Sequence, residues 1–463
     1  MAKSCRYFVD REIRESDPKP EKLVGLINVH TKETNGEGCQ HCRQTMKIGY
    51  VLLDGCGDRP VPSLNYTTPL EAAYTPNLDG IATRSRLGRV TTVGRGIAPE
   101  SDIAVFNMLG YSFEKGYPGR GVIEAVGSGL EVREGDLALR ANLASAQGRR
   151  IVDRRAGRNL TQEEAELLAR DLNSITLGGA HFAFKATISY RGVLVIRGDE
   201  PLSAAISNTD PAYSRVGGFG AAKEASGTDS VMLCKPESRE KGAIRAANLV
   251  NEFTRKAQEV LDSSEVNKER VREGKLPANV VLLRDAGDHV PDLTPFQKRY
   301  GMVGTALVEM PAEVGIAKLI GMKMVPIKDR KDISEKAKLF SAALGDGVVV
   351  YVHIKGPDEF GHDGDAKGKK MNIESIDREF FPAALEQIND STIAVSCDHA
   401  TPCTLKMHSA DPVPLLVSGR GQGDGKRFNE ANASFGSLGH LRGRDVLGKI
   451  VRGDFRPRTS SEA

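Results

Sequence analysis

The sequence predicts an α/β protein with a three-layer core, in which a mostly parallel sheet is interrupted by a smaller inserted α/β lobe. Three observations carry this expectation. Apolar, β-branched runs recur along the chain, and each ends abruptly in an acid or a glycine-bearing turn. Helical stretches sit between these runs. A central Arg- and Gly-rich segment breaks the pattern. Continuous rather than alternating apolar runs are expected of strands buried on both faces, as in a parallel sheet covered by helices. Alternating strand and helix signals then argue for a doubly wound core.

In chain order, residues 1–46 are polar with weak periodicity and read as an N-terminal extension. It carries a lone Cys-x-x-C, Cys39 and Cys42 with His41 between them. A structural zinc site normally needs a second such pair, and Cys5 is the one further thiol nearby, so free thiols are the plainer expectation. Residues 47–117 form the first part of the core, opening with "KIGYVLLDG" (47–55) and a helix over "TPNLDGIATRSR" (75–86). Residues 118–276 form the inserted lobe, with a strand over "ATISYRGVLVIRG" (186–198), a turn-rich stretch (207–230) and a long charged helix near 238–273. The core resumes over 277–450. Its strands are "NVVLLRDAG" (279–287), "GVVVYVHIKGPD" (347–358), "STIAVSCDH" (391–399) and "PVPLLVSG" (412–419). Its helices are "PAEVGIAKLIG" (311–321) and "DISEKAKLFSAAL" (332–344), and residues 451–463 make a C-terminal tail.

Composition excludes several function classes. The 463 residues hold 64 Lys and Arg against 61 Asp and Glu, a net charge of +3 that steers toward neither nucleic acid nor a membrane surface. No apolar run approaches the ~20 residues that span a bilayer. The charged N-terminus lacks the apolar stretch of a signal peptide, so a cytoplasmic, soluble protein is expected. Seven scattered cysteines argue against a disulfide framework.

Ligands of open α/β sheets bind at the carboxyl ends of the strands. Three runs deliver acids there: Asp54, Asp358 and Asp398, the last followed at once by His399. His362 follows Asp358 by four residues, a spacing that joins side chains on a helical turn, and His408 precedes the next strand. Any one of these residues fits a cap or a solvated loop. Three Asp and three His at one sheet edge make a ligand inventory for two divalent metals, with chemistry suited to Mn, Zn, Co or Fe over Mg or Ca alone. Ser101 stands before an apolar helical run. It is either the N-cap of that helix or, beside such a ligand set, a phosphoryl-transfer nucleophile facing the helix's N–H groups. An anionic substrate suits the arginines of the lobe: Arg120, Arg140, Arg154, Arg155 and Arg158 beside Asp153, and Arg191.

"DGCGDRP", "TPNLDGIA", "PESDIAVFNMLGY", "GRGVIEA", "GDLALRANLA", "VDRRAGR", "HIKGPDEFGHDGD" and "CDHATP…HSADPVP", in this order from about residue 48 to 450, resemble the archaeal-type cofactor-independent phosphoglycerate mutases of the alkaline phosphatase superfamily. The resemblance implies an alkaline-phosphatase-like core, an inserted substrate lobe and two divalent metal ions (Mn, Mg, Co or Zn). By it, Asp54, Ser101, Asp398 and His399 hold one metal, and Asp358, His362 and His408 the other. Ser101 takes the phosphoryl group of 3-phosphoglycerate and returns it to the other hydroxyl of the same glycerate. Asp153 and an arginine of the following pair orient the glycerate, Asp153 being the candidate acid/base, and Lys355 holds phosphate charge. The implied partner is a small phosphorylated glycerate. The extension lies outside the family's usual pattern, and it either adds a contact in a homo-oligomer or has no role. Cys56, two residues past a ligand, is expected to make the site oxidation-sensitive. The rival readings are a metal-dependent phosphohydrolase or phosphonate-processing enzyme on the same core, and a non-catalytic metal-binding scaffold.

Overall fold

The computed structural model describes residues 46–113, 116–216, 219–222, 230–327, 329, 332–419 and 422–454. The extension with Cys5, Cys39, His41 and Cys42, and the tail from residue 455, lie outside the described residues. The first eight strands are β1 (Lys47–Leu53), β2 (Ser85–Thr91), β3 (Leu137–Gln147), β4 (Arg150–Asp153), β5 (Ala180–Ala186), β6 (Arg191–Gly198), β7 (Tyr213–Val216) and β8 (Phe219–Ala222). They are followed by β9 (Val280–Gly287), β10 (Val303–Leu307), β11 (Lys323–Met324), β12 (Val348–Ile354), β13 (Thr392–Cys397), β14 (Val413–Ser418) and β15 (Gly439–Arg442).

An eight-stranded sheet in the order β11-β10-β12-β1-β13-β14-β2-β15 forms the core. It is parallel except where β14 runs against β13 and β2. The β-branched runs predicted as strands lie at its centre because both faces are covered. Tyr50 and Tyr351 from neighbouring strands face each other at 6.4 Å, while Phe340, from the helix Ile333–Ala343, lies over Gly49 and against Phe380 of the helix Ala366–Glu386 at 5.3 Å. Register then fixes the site. β1 pairs with β12 on one side and β13 on the other, Leu53 standing level with both Ile354 and Cys397. Asp54, Lys355 and Asp398, each one residue further on, therefore leave the sheet side by side.

The predicted helices form at Pro76–Ala82, Pro311–Leu319 and Ile333–Ala343. Pro at the first turn of the first two costs nothing, since an orphan N–H is what it removes. Asp377 supplies a cap from outside, its Oδ1 accepting from Leu78 N at 2.7 Å. No helix among the described residues is long and apolar enough to cross a membrane.

The smaller sheet has the order β4-β3-β6-β5, with β9 also paired to β3. This corrects the placement of "NVVLLRDAG": β9 belongs to this sheet and runs antiparallel to β3. All eight of its residues are buried, and burial on both faces produces the same continuous apolar run whatever the strand direction. The segment 186–198 is not one strand either. It contains the turn between β5 and β6, where Ser189 adopts φ 54°. The long charged helix is two, Lys241–Ser263 and Glu265–Arg272, broken at extended Ser264, whose hydroxyl donates to Asp171 at 2.6 Å.

The helix Arg120–Gly127 packs on the smaller sheet with Val122 and Ala125. Its other face meets the helix Pro311–Leu319 so closely that the crossing tolerates only glycine. A Cβ at Gly127 would lie 1.8 Å from Pro311 O, and one at Gly315 would lie 1.9 Å from Ile123 O.

Candidate metal and phosphoryl-transfer site

Asp54 ends β1, its backbone N–H still donating to Ile354 O at 2.9 Å, and its carboxylate turns into the buried edge of the sheet. Oδ2 meets Lys355 Nζ at 3.1 Å; Oδ1 lies 3.8 Å from His353 Nε2 and 3.6 Å from His399 Nε2. Across β1, Asp398 Oδ1 accepts from the backbone N–H groups of Gly55 and His399, both at 3.0 Å. Its Oδ2 is left 3.5 Å from His353 Nε2 and 3.3 Å from His399 Nε2. Asp54, His353 and Asp398 thus form a fully buried group whose ligand atoms lie within 4.8 Å of one another.

Asp358, His399 and His408 form a second such group. Asp358 stands in the first turn of the helix Pro357–Asp363. Its Oδ1 accepts from Thr401 Oγ1 at 2.6 Å and lies 3.5 Å from His408 Nε2, while Oδ2 is 3.5 Å from His362 Nε2. Gly55, at φ 55°, is required here because a Cβ would fall 2.5 Å from Asp358 Oδ1.

The hydrogen bonds fix the tautomers. His408 Nδ1 faces Pro99 O at 2.8 Å and His362 Nδ1 faces Lys406 O at 3.1 Å, and carbonyl oxygens only accept. Thr401 has given its proton to Asp358, so at 3.1 Å it accepts from His399 Nδ1. In His399, and in His362 and His408 whenever they are neutral, the Nε2 lone pair therefore faces the carboxylates, the arrangement metal-ligating histidines adopt. Ser101 Oγ, 3.0 Å from His399 Nε2, is the donor in that contact.

Ser101 is not the N-cap of its helix. Glu100 occupies that place and Ser101 is the first helical residue, with no side-chain capping bond. The hydroxyl is released from capping because Glu100 has the extended conformation that the cap position requires (φ −73°, ψ 151°).

The electrostatics are those of a crowded anionic pocket. Burial pushes the Asp54 carboxyl up to about 7, with Lys355 pulling against the shift and Asp398 adding to it. His353 rises to about 9: burial and Lys355 oppose its charge, but Asp398 and Glu313 outweigh them. His408 also reaches about 9, burial being overcome by Asp358, while burial takes His399 down to about 4. Burial works against the Lys355 ammonium, yet Asp54 and Glu313 hold its pKa above the ordinary lysine range.

All seven sequence-predicted ligands converge on this edge. His362 is the most open of them, its side chain 43% exposed. Sequence reasoning missed His353 and Glu313. His353 lies on β12 two residues before Lys355, which follows the strand's end, so continuing the strand alternation puts the two on one face. Glu313 is 3.2 Å from His353 Nδ1 and 2.5 Å from Lys355 Nζ. It lies in a distant helix, and no local pattern announces it. Cys56, expected as an oxidation-sensitive thiol, is fully buried, and a reactive thiol needs solvent access.

The lobe residues fall into two sets. Arg120 pairs with Glu100 at 3.1 Å and Glu124 at 2.9 Å, and Arg140 with Glu124 at 3.0 Å and Asp285 at 3.1 Å. These arginines line a pocket with Glu100, Asp102, Tyr117 and Tyr213, so it adjoins Ser101 through its two chain neighbours. Arg284, not foreseen, lies over the Tyr213 ring at 4.4 Å and pairs with Asp210, which also holds Arg154. Arg154 keeps a buried Nη1 with no hydrogen-bond partner. Asp153 ends β4, and Arg155 and Arg158, both exposed, lie on the loop that follows it. Arg191 lies over Tyr190 at 5.5 Å.

The profile of the family described as 2,3-bisphosphoglycerate-independent phosphoglycerate mutase matches residues 82–267. A protein of that name from Aeropyrum pernix is 43% identical over 417 residues, covering 86% of this chain and 97% of its own. Another from Methanopyrus kandleri is 40% identical over 417 residues, covering 87% of this chain and 94% of its own. Among solved structures, the PH0037 protein from Pyrococcus horikoshii superposes with a TM-score of 0.70 at 28% identity, covering 90% of this chain and 99% of its own. A cofactor-independent phosphoglycerate mutase from Thermoplasma acidophilum superposes with a TM-score of 0.57 at 31% identity, covering 88% and 99%.

Proposed function

The chain belongs to the 2,3-bisphosphoglycerate-independent phosphoglycerate mutase family of isomerases, and from that premise we propose that it interconverts 3- and 2-phosphoglycerate through a phosphoserine at Ser101, at a site holding two divalent ions. The observation that carries this reading is the set of orphaned atoms: Asp54 Oδ1, Asp398 Oδ2 and His353 Nε2 are buried without a hydrogen-bond partner. Such atoms are costly unless a ligand satisfies them, and Asp and His oxygen and nitrogen donors fit a divalent cation of the Mn, Co or Zn kind. Asp54, Asp398 and His399 with Ser101 would hold one ion, with His353 beside them; Asp358, His362 and His408 would hold the other. Bound there, the ions supply a lowered Ser101 pKa and charge neutralisation at the transferring phosphoryl group.

The chain's own groups do the rest. Ser101 Oγ, deprotonated, attacks the phosphorus of 3-phosphoglycerate, the bond from phosphorus to the C3 oxygen breaks, and that oxygen takes up a proton. The C2 hydroxyl then loses its proton and attacks the phosphoserine, returning Ser101. In this reading Asp153 carries these protons, and Arg154 and Arg155 hold the glycerate carboxylate. Lys355, kept cationic by Asp54 and Glu313, faces phosphoryl charge. The orphaned Nη1 of Arg154 supports an anion in the lobe.

The test is phosphorus NMR of the Mn-loaded protein with 3-phosphoglycerate. Appearance of 2-phosphoglycerate is expected. Free phosphate in its place would replace this reading with the phosphohydrolase. Ser101→Ala is expected to abolish turnover, and retention of mutase activity by that variant would overturn the phosphoserine route.

A further inference from the structure

Arg270 is 1% exposed, and nothing in the reaction above uses it. It belongs to the helix Glu265–Arg272, and its guanidinium spends all five N–H donors on one neighbourhood. Nε donates to Leu276 O at 3.0 Å, and Nη1 donates to both Glu164 oxygens at 3.0 Å. Nη2 donates to Ala156 O at 3.1 Å and to Asn159 Oδ1 at 2.7 Å. Ala156 and Asn159 lie in the loop that carries Asp153, Arg154, Arg155 and Arg158.

That loop is held in an unfavourable shape. Ala156, Gly157 and Arg158 have φ of 46°, 73° and 55°, and two of the three are not glycine. Left-handed backbone at non-glycine residues persists only where the surroundings over-determine it. Asp153 pins the start, its Oδ1 accepting from Arg155 N at 2.7 Å and Gly157 N at 3.0 Å. Glu164 pins the end, as the third residue of a helix whose capping box closes on Thr161. Arg270 joins the middle of the loop to that end. A planar fork of five donors does this and a lysine ammonium does not.

We infer that Arg270 is a positioning residue for the substrate loop: through Ala156 O and Asn159 it sets where Asp153, Arg154 and Arg155 stand. The inference rests on the reading that this loop binds the glycerate. Misplacing Arg154 and Arg155 weakens binding of substrate and transition state together, so the loss is expected mainly in KM, with a smaller fall in kcat through Asp153.

The experiment is steady-state kinetics of the Mn-loaded full chain with 3-phosphoglycerate, below the melting temperature of each variant. Arg270→Lys is expected to raise KM about tenfold with a smaller fall in kcat. Arg155→Ala, expected to raise KM in the native chain, is expected to add nothing further in the Arg270→Lys background. A native KM in Arg270→Lys, or additive effects of the two changes, overturns the inference, since a merely stabilising arginine would leave the loop arginine's contribution intact. If Arg270→Lys does not fold, Asn159→Ala decides: a rise in KM of about threefold supports the inference and an unchanged KM overturns it. Native kinetics in Asp153→Asn, Arg154→Ala and Arg155→Ala alike would instead remove the loop from substrate binding altogether.

Discussion

Replacing Gly315 by alanine tests the contact that seats the lobe on the core. Helix propensity alone says that Gly→Ala in a helix interior gains about 1 kcal/mol. The crossing says otherwise. The new Cβ would lie 1.9 Å from Ile123 O and 2.8 Å from Ile123 C. An ordinary C···O contact is about 3.3 Å, so the helix Arg120–Gly127 has to retreat by roughly 1.4 Å. Both clashing atoms are backbone, and no rotamer change relieves them. Overpacking of this kind costs about 1–3 kcal/mol where side chains adjust, and more is expected where they cannot. The net loss should be about 2–4 kcal/mol, a fall in melting temperature of about 2–5 °C for a unit of this size. The same retreat moves Arg120 away from Glu100 beside Ser101, so kcat/KM should fall about tenfold or more. The control is Gly448→Ala in the helix Gly443–Arg452, where a Cβ meets only the Arg452 guanidinium, nearest at 3.2 Å. Thermal unfolding and phosphoglycerate turnover are measured on both. Gly315→Ala as stable as Gly448→Ala would refute the close crossing and the coupling drawn from it.

Lys355→Met leaves Asp54 and Glu313 without the ammonium that stands 3.1 Å and 2.5 Å from them. Turnover should fall about a hundredfold, the scale of losing one preorganised charge at a phosphoryl group, as read by initial rates. Equilibrium dialysis with Mn should show two ions per chain, with Asp54→Asn and Asp358→Asn each losing one; loss of both ions in either variant would mean that the two groups are a single site. Burial raises the Glu430 carboxyl to about 7 from 4.5 although Thr68 Oγ1 and Asp58 N donate to it. A raised folded pKa contributes stability below pH ~4.5 that is lost as pH rises through ~7. Between pH 5 and 8 the native chain should therefore lose about 2 kcal/mol more than Glu430→Gln, read from urea unfolding. Equal losses would show that Glu430 ionises normally.

Much of the site was readable because its signals are local. An acid at the end of an apolar run is written in consecutive residues, and Asp54, Asp358 and Asp398 each carry that mark. His399 and His362 follow at short spacing, and Ser101 opens an apolar helical run. The order of the motifs along the chain also carried the family. β9 was misplaced for a physical reason: burial shapes its sequence, and strand direction does not. The segment 186–198 was read as one strand because Ser189, rather than glycine, takes the left-handed position of the turn between β5 and β6.

Tertiary structure alone decided what depends on register and on long-range contact. The sequence determined that Asp54 and Asp398 end strands, whereas the pairing of β1 with both β12 and β13 made those ends adjacent. His353 joined the site through that register, and Glu313 through the packing of a helix forty residues away in the chain. The tautomers of His399, His362 and His408 were set by Thr401, Lys406 O and Pro99 O, partners that exist only once the chain is folded. The loop arginines were visible from the start, but the residue that fixes their backbone was not. Arg270 lies more than a hundred residues from that loop, and only burial shows that its five donors have nowhere else to go.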